Sequence, residues 1–212
     1  MKISILCSNL DHPVIPYLKE WMEKHSKNHN VTLHTNFDNL ESGDFLFIIS
    51  FLKKVPLEIR NLFRYSLVIH GSDLPKGRGW SPLVWQILEG SNKIVLTLFE
   101  AVDEIDAGKI WKKEHITFEG HELFEEISEK FFNSEIQLMD FALESFSKIT
   151  PYDQSDSEPT FYSKRNPSDS KIDENLSIAE QFDLLRICDP NRYPAFFEFR
   201  NHKYKISIEK LD

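Results

Sequence analysis

Leu67-Val-Ile-His-Gly-Ser-Asp-Leu-Pro-Lys-Gly-Arg-Gly-Trp-Ser-Pro82 begins as an apolar run, reaches a histidine, and breaks into a loop with three glycines and two prolines. A buried strand that stops in this way delivers a side chain to the edge of a sheet, where ligands bind in open α/β folds. A second stretch, Val102-Asp-Glu-Ile-Asp-Ala-Gly-Lys-Ile110, reads as a loop carrying Asp106, then a glycine and another strand-like run. The chain between His70 and Asp106 is long enough for one helix and one strand. A histidine and a carboxylate on neighbouring strand ends can form an oriented general acid/base pair. Spacing alone favours a solvated loop histidine and a turn aspartate; the residues around them favour the pair.

Outward from this stretch the chain alternates. Lys2 to Cys7 reads as a buried strand and Pro13 to Lys27 as an amphipathic helix with Val14, Tyr17, Leu18, Trp21 and Met22 on one face. Val31 to His34 and Asp44 to Phe51 read as strands, with a helix starting at Pro56. Ser81 to Glu89 is expected as a helix, Ser81 its N-cap, Pro82 its first residue and Trp85 in its core. Lys93 to Glu100 and Lys109 to Ile116 are further strands, and His121 to Phe146 is a long packing helix. Such alternation predicts a doubly wound, mostly parallel α/β sheet with helices on both faces, occupying residues 1–150. Residues 151–175 read as a linker loop rich in Asp, Ser, Pro and Lys. Residues 176–212 form a small appendage: a helical pattern from Ile172 to Cys188, then a β-hairpin around Arg200-Asn-His.

The protein has 212 residues, 41% hydrophobic and 28% charged, with a formal net charge of −9. That length holds one full core, and that charge argues against general binding to nucleic acid, which needs a basic face. Seventeen phenylalanines imply an aromatic-rich core or a stacking surface. Cys7 and Cys188 stand far apart, and the histidines and cysteines suggest no metal-ligand set. The turn after the first strand, Cys-Ser-Asn-Leu, lacks the glycines of a dinucleotide site. No run reaches the length of a membrane span and no basic, cleavable leader opens the sequence, so a cytoplasmic location is expected.

His70-x-Ser-x-Leu-Pro, the following Gly and Pro, and Asp106-x-Gly-x-Ile resemble the formyltransferase family, whose members include glycinamide ribonucleotide transformylase, methionyl-tRNA formyltransferase and the sugar N-formyltransferases. The resemblance is clearest from Ser50 to Ile110. It implies a Rossmann-like fold, 10-formyltetrahydrofolate as donor, no metal, and His70 and Asp106 as catalytic groups. The family's third catalytic residue, an Asn two positions before the His, is Val68 here. Ser72, Asn92 or a backbone N–H would then support the oxyanion; a different acyl donor and a silent ligand-binding homologue are the other readings. By position in the family, Phe51, Leu52, Val102 and Asp103 fall on the donor side and Lys76, Arg78 and Trp80 on the acceptor side. The tail from Lys164 onward is similar to the start of the C-terminal subdomain in sugar and tRNA formyltransferases, and the residues after it are too few for the tRNA enzymes' barrel. The preferred acceptor is a nucleotide-linked aminodeoxysugar, a 4-amino-4,6-dideoxyhexose, in surface glycan synthesis. A glycinamide ribonucleotide-type acceptor is the enzymatic rival, and a homodimer stays open.

Overall fold

The computed structural model describes residues 1–211. In chain order the elements begin with β1 (Lys2–Leu6), α1 (Ile15–His25), β2 (Asn30–His34), β3 (Gly43–Ile48), α2 (Leu57–Arg60) and β4 (Phe63–His70). They continue with β5 (Arg78–Gly79), α3 (Pro82–Leu88), β6 (Lys93–Glu100), β7 (Ile110–Thr117) and α4 (Phe124–Ser145). After α4 come β8 (Phe161–Tyr162), α5 (Phe182–Ile187), β9 (Ala195–Phe199) and β10 (His202–Ile206).

Six strands form the central sheet in the order β2-β1-β3-β4-β6-β7. The first four are parallel, and β6 and β7 are each antiparallel to the strand before them in that order. The sheet is thus mostly parallel, as the strand–helix alternation implies, with the direction reversed at β6. The chain re-enters the sheet at the edge where β4 left it, with His70 in register with Thr97.

Two-residue periodicity sorts the side chains of the strands. Ile3, Ile5, Phe45, Phe47, Leu67, Ile69 and Leu96 meet α1, α3 and α4 on one face in a single apolar core. Leu6, Leu46, Ile48 and Val68 point to the other face, which carries only the one-turn α2 and loops. His70 lies two residues past Val68 on the same thinly covered face. Because β1, β3 and β4 run parallel, Cys7, Ile49 and His70 come out at one edge of the sheet.

Three local expectations are corrected. Ser81 occupies the N-cap position of α3, with Pro82 following, but its φ is 48° and its hydroxyl makes no cap bond. Trp85 is only partly buried: its Nε1 donates to the Ser163 carbonyl at 2.9 Å and its ring stacks on Tyr162, because this side of α3 faces the 150–165 segment rather than the core. Ile172 to Cys188 is not one helix. Asp173 accepts from Asn175 N and Ser177 N bonds to Glu180, so polar side chains hold the backbone in turns until α5. The hairpin forms where expected, and its two turn residues, Arg200 and Asn201, have φ of 50° and 63°, the sense a two-residue turn requires.

His25 and His29 stand four residues apart, a spacing metal sites use, but His25 Nε2 meets Asp140 at 2.8 Å and His29 Nδ1 the terminal amine at 3.3 Å. No group of three or more candidate metal ligands forms among the described residues. No helix among them is long and apolar enough to cross a membrane.

Among the buried charge-bearing groups outside the candidate site is an acid with no ion-pair partner in the described residues. Glu135 on α4 is 4% exposed and its Oε2 has no hydrogen-bond partner. Burial pushes its carboxyl up to about 8, and it contributes to the raised Cys7 thiol, whose main cause is burial. A carboxyl whose folded pKa lies above its unfolded value stabilises the fold less as pH rises through that interval. The native state should therefore lose stability, on the order of a few kcal/mol, between about pH 4.5 and 8 through this group. Glu135→Gln should raise the melting temperature at pH 8 and leave it nearly unchanged at pH 4.5, measured by thermal unfolding at both values.

Candidate active site

His70 closes β4, and its register partner on β6 is Thr97, whose hydroxyl donates to the Ser72 carbonyl at 2.7 Å. The loop that follows curls back so that His70 Nε2 lies 2.8 Å from the Gly77 carbonyl oxygen. A carbonyl only accepts, so this contact places the proton on Nε2 and leaves Nδ1 free as the acceptor of the neutral ring. Asp106 sits in the turn between β6 and β7 with φ of 52°, a left-handed conformation that aspartate tolerates better than most residues. Its Oδ2 accepts the Gly79 N–H at 2.8 Å and lies 3.8 Å from His70 Nε2. The side chains of His70 and Asp106 are 10% and 14% exposed, so the pair is shielded yet open to a ligand. It is a proton donor and acceptor set with one backbone N–H fixing the carboxylate.

Glycines make this approach possible. A Cβ on Gly108 would collide with the Glu100 carbonyl oxygen, so the residue two after Asp106 must lack a side chain for the turn to close onto β6. Gly79 has φ of 98°, and a Cβ there would stand 2.6 Å from the Tyr162 carbonyl oxygen. That contact exists because the 150–165 segment is a strap over the site and not a loose linker. Tyr152 and Ile110 exchange backbone hydrogen bonds at 2.7 and 3.0 Å, and β8 pairs in parallel with β5. Gly77 N donates to Thr160 Oγ1 at 2.8 Å. Tyr162 hydroxyl donates to Glu89 at 2.7 Å, and burial together with that carboxylate raises its pKa.

The other residues singled out from the sequence divide into two groups. Phe51 packs with Phe37 under the β3 loop, while Leu52 and Val102 are exposed. Asp103 joins their loops: its carboxylate pairs with Arg60 and lies 3.8 Å from Lys54. On the opposite side, Lys76 is exposed and Trp80 half-buried with Lys164 5.0 Å above its ring. Arg78 is internal, Nη1 on Glu104 at 2.5 Å and Nη2 on Gln154 at 3.0 Å. Ser72 is 1% exposed and its hydroxyl has no partner, tucked against Gly77. Asn92 is remote, bonded to Arg186 at 2.9 Å before the first residue of β6. Val68 packs with Leu74, Phe99 and Ile110, an apolar patch beside His70. Glu104, Gln154 and Thr160 escaped sequence reasoning, since each is a single polar residue in a polar stretch; the length of the strap was the only hint.

A family model described as formyl transferase matches residues 7–143, which include both His70 and Asp106. The chain belongs to the formyl transferase family. It is similar to the methionyl-tRNA formyltransferase of Lachnospira eligens, 29% identical over 165 residues that make up 76% of this chain and 52% of that protein. The chain thus spans about half the length of the curated relatives it matches. Among solved structures it resembles the methionyl-tRNA formyltransferase from Clostridium thermocellum, with a TM-score of 0.83 at 24% identity, covering 100% of this chain and 94% of the other. It also resembles a sugar N-formyltransferase from Shewanella sp FDAARGOS_354, with a TM-score of 0.73 at 16% identity, covering 100% and 99%. At these identities the structural likeness speaks for the fold, a mixed α/β architecture on a mostly parallel sheet.

The steric role of the Asp-x-Gly glycine is testable without a substrate. Gly108→Ala should cost about 2 kcal/mol or more by forcing the turn off β6. Gly90→Ala, at φ of 83° with nothing within 4 Å of the new Cβ, should cost only about 1 kcal/mol. Urea unfolding of the two variants compares them directly.

Proposed function

We propose that this protein transfers a formyl group from 10-formyltetrahydrofolate to the amino group of a nucleotide-linked aminodeoxysugar. The observation that carries the reading is the convergence of His70 and Asp106 at one sheet edge in a chain of the formyl transferase family. The donor supplies an activated formyl carbon when bound. Leu52 and Val102, exposed on two loops joined through Asp103, with Phe51 beneath, offer apolar surface for its flat ring system, and backbone groups there can read its polar edge.

Asp106 holds its carboxylate ready to take the proton that the attacking amine must lose. His70, once protonated, presents N–H to the oxygen that gains negative charge. Val68 supplies no hydrogen bond there, and an oxyanion donor of that kind is worth roughly 3–4 kcal/mol. Ser72 is the candidate replacement, and its buried, unpartnered hydroxyl could serve only if the Gly77 loop shifts. On the acceptor side Lys76 offers a free charge for phosphates and Trp80 a face for stacking, while Arg78 stiffens the loop that carries both. The acidic net charge of −9 supports a small acceptor over a whole tRNA. The similarity to methionyl-tRNA formyltransferases supports the second reading, methionyl-tRNA as the acceptor. A 4-amino-4,6-dideoxyhexose is the favoured sugar.

Mass spectrometry after incubation with 10-formyltetrahydrofolate and a panel of nucleotide aminosugars, glycinamide ribonucleotide and methionyl-tRNA should show formylated aminosugar. Exclusive formylation of methionyl-tRNA would establish the second reading, and no formylated product would remove the donor. His70→Ala and Asp106→Ala should each reduce turnover by about 10²–10⁴-fold with an unchanged circular dichroism spectrum. Near-normal rates in either folded variant would dismiss its catalytic role. Val68→Asn should be tolerated and raise kcat, since it places a donor beside His70; a fall in kcat in the folded variant would show that the apolar patch is what the reaction needs.

A further inference from the structure

Gln154 stands out in the strap because its neighbours Tyr152, Asp153 and Ser155 to Glu158 are exposed, whereas it is turned inward. Its Nε2 donates to the Asp106 carbonyl at 2.8 Å and to the Gly108 carbonyl at 3.1 Å. Its Oε1 accepts from Arg78 Nη2 at 3.0 Å, and the other arm of that guanidinium holds Glu104. One amide thereby ties the Asp106 turn to the segment that carries Gly79, the donor to the Asp106 carboxylate. Only a primary amide fits both tasks, since two carbonyls require a donor and a guanidinium requires an acceptor. Nothing in the His-x-Ser-x-Leu-Pro or Asp-x-Gly motifs includes this residue.

We propose that Gln154 is a positioning residue, which holds the Asp106 turn so that the carboxylate stays on Gly79 N–H and against His70. The inference rests on the formyl-transfer reading for its kinetic consequence but not for its geometry. A left-handed aspartate in a loop has other conformations close in energy, and the first ladder contact after it is the Lys109 carbonyl on Glu100 N at 3.0 Å. With the carbonyls of Asp106 and Gly108 released, the carboxylate swings, and a displacement of about 1 Å at a reacting group costs up to about a hundredfold in rate.

The test uses the full chain with Gln154→Ala, Gln154→Glu and, as a control on the exposed strap, Asp156→Ala. Gln154→Glu keeps the size and the arginine contact and loses both donors, so it stays informative where the alanine variant fails to fold. Amide hydrogen exchange is followed at three consecutive groups: Arg78 N and Trp80 N, which pair with Thr160 and Tyr162 of the strap, and Gly79 N, which pairs with Asp106. In both Gln154 variants Gly79 N should lose protection by about tenfold or more while Arg78 and Trp80 keep theirs. In the same variants kcat should fall by about ten- to a hundredfold with KM nearly unchanged, because only the placement of a reacting group is altered. Asp156→Ala should match the wild type in all readouts. Loss of protection at all three amides together would mean that Gln154 merely anchors the strap, and unchanged Gly79 exchange would mean that it anchors nothing; either result overturns the proposal. Where the wild type formylates no acceptor, the functional reading falls and the exchange data still decide the geometry.

Discussion

The architecture of the site depends on a carboxylate held by a backbone N–H. Asp106 accepts from Gly79 at 2.8 Å, and the nearest guanidinium, that of Arg78, is turned away to Glu104 and Gln154. A single neutral N–H orients the oxygen and leaves His70 Nε2 3.8 Å away. The Gly77–Gly79 loop, the Asp106 turn and the strap are arranged so that this one contact can form.

That arrangement explains the uneven cover of the sheet. Three helices bury one face in a continuous core, and the rigidity of that core fixes where β4 ends and hence where His70 stands. The other face is left to loops, which is where a ligand can enter. Loops alone would be poor supports for reacting groups, and here they are cross-tied by specific polar contacts: Asp103 between Arg60 and Lys54, Glu104 on Arg78, Thr160 on Gly77. Val68 fits the same picture from the opposite direction. Its packing with Leu74, Phe99 and Ile110 makes the floor beside His70 dry and apolar, where a hydrogen bond to a developing charge would be strong once a donor is supplied.

The strand runs, the long α4, the hairpin turn at Arg200–Asn201 and the His70 and Asp106 pair were all legible in the amino-acid sequence. The elements are dictated by local chemistry, two-residue or 3.6-residue apolar spacing and a short polar turn, whereas the His70 and Asp106 pair is legible through the resemblance of its two motifs. The apolar spacing of the 172–178 segment predicts helix. Asp173 and Ser177 overrode that spacing by bonding to the backbone nearby, a competition that periodicity does not register.

The sequence by itself determined which faces of each strand and helix are buried, which stretch ends at the sheet edge, and through its motifs the family. Tertiary structure alone decided the reversal of β6, the placing of Trp85 against the strap, the internal use of Arg78, and the role of Gln154. Their common physical reason is range. A strand or turn is settled by residues a few positions apart, but the value of a lone Gln at 154 depends on carbonyls at 106 and 108 and a guanidinium at 78. Only when the core has brought those segments within hydrogen-bonding distance does that amide acquire partners.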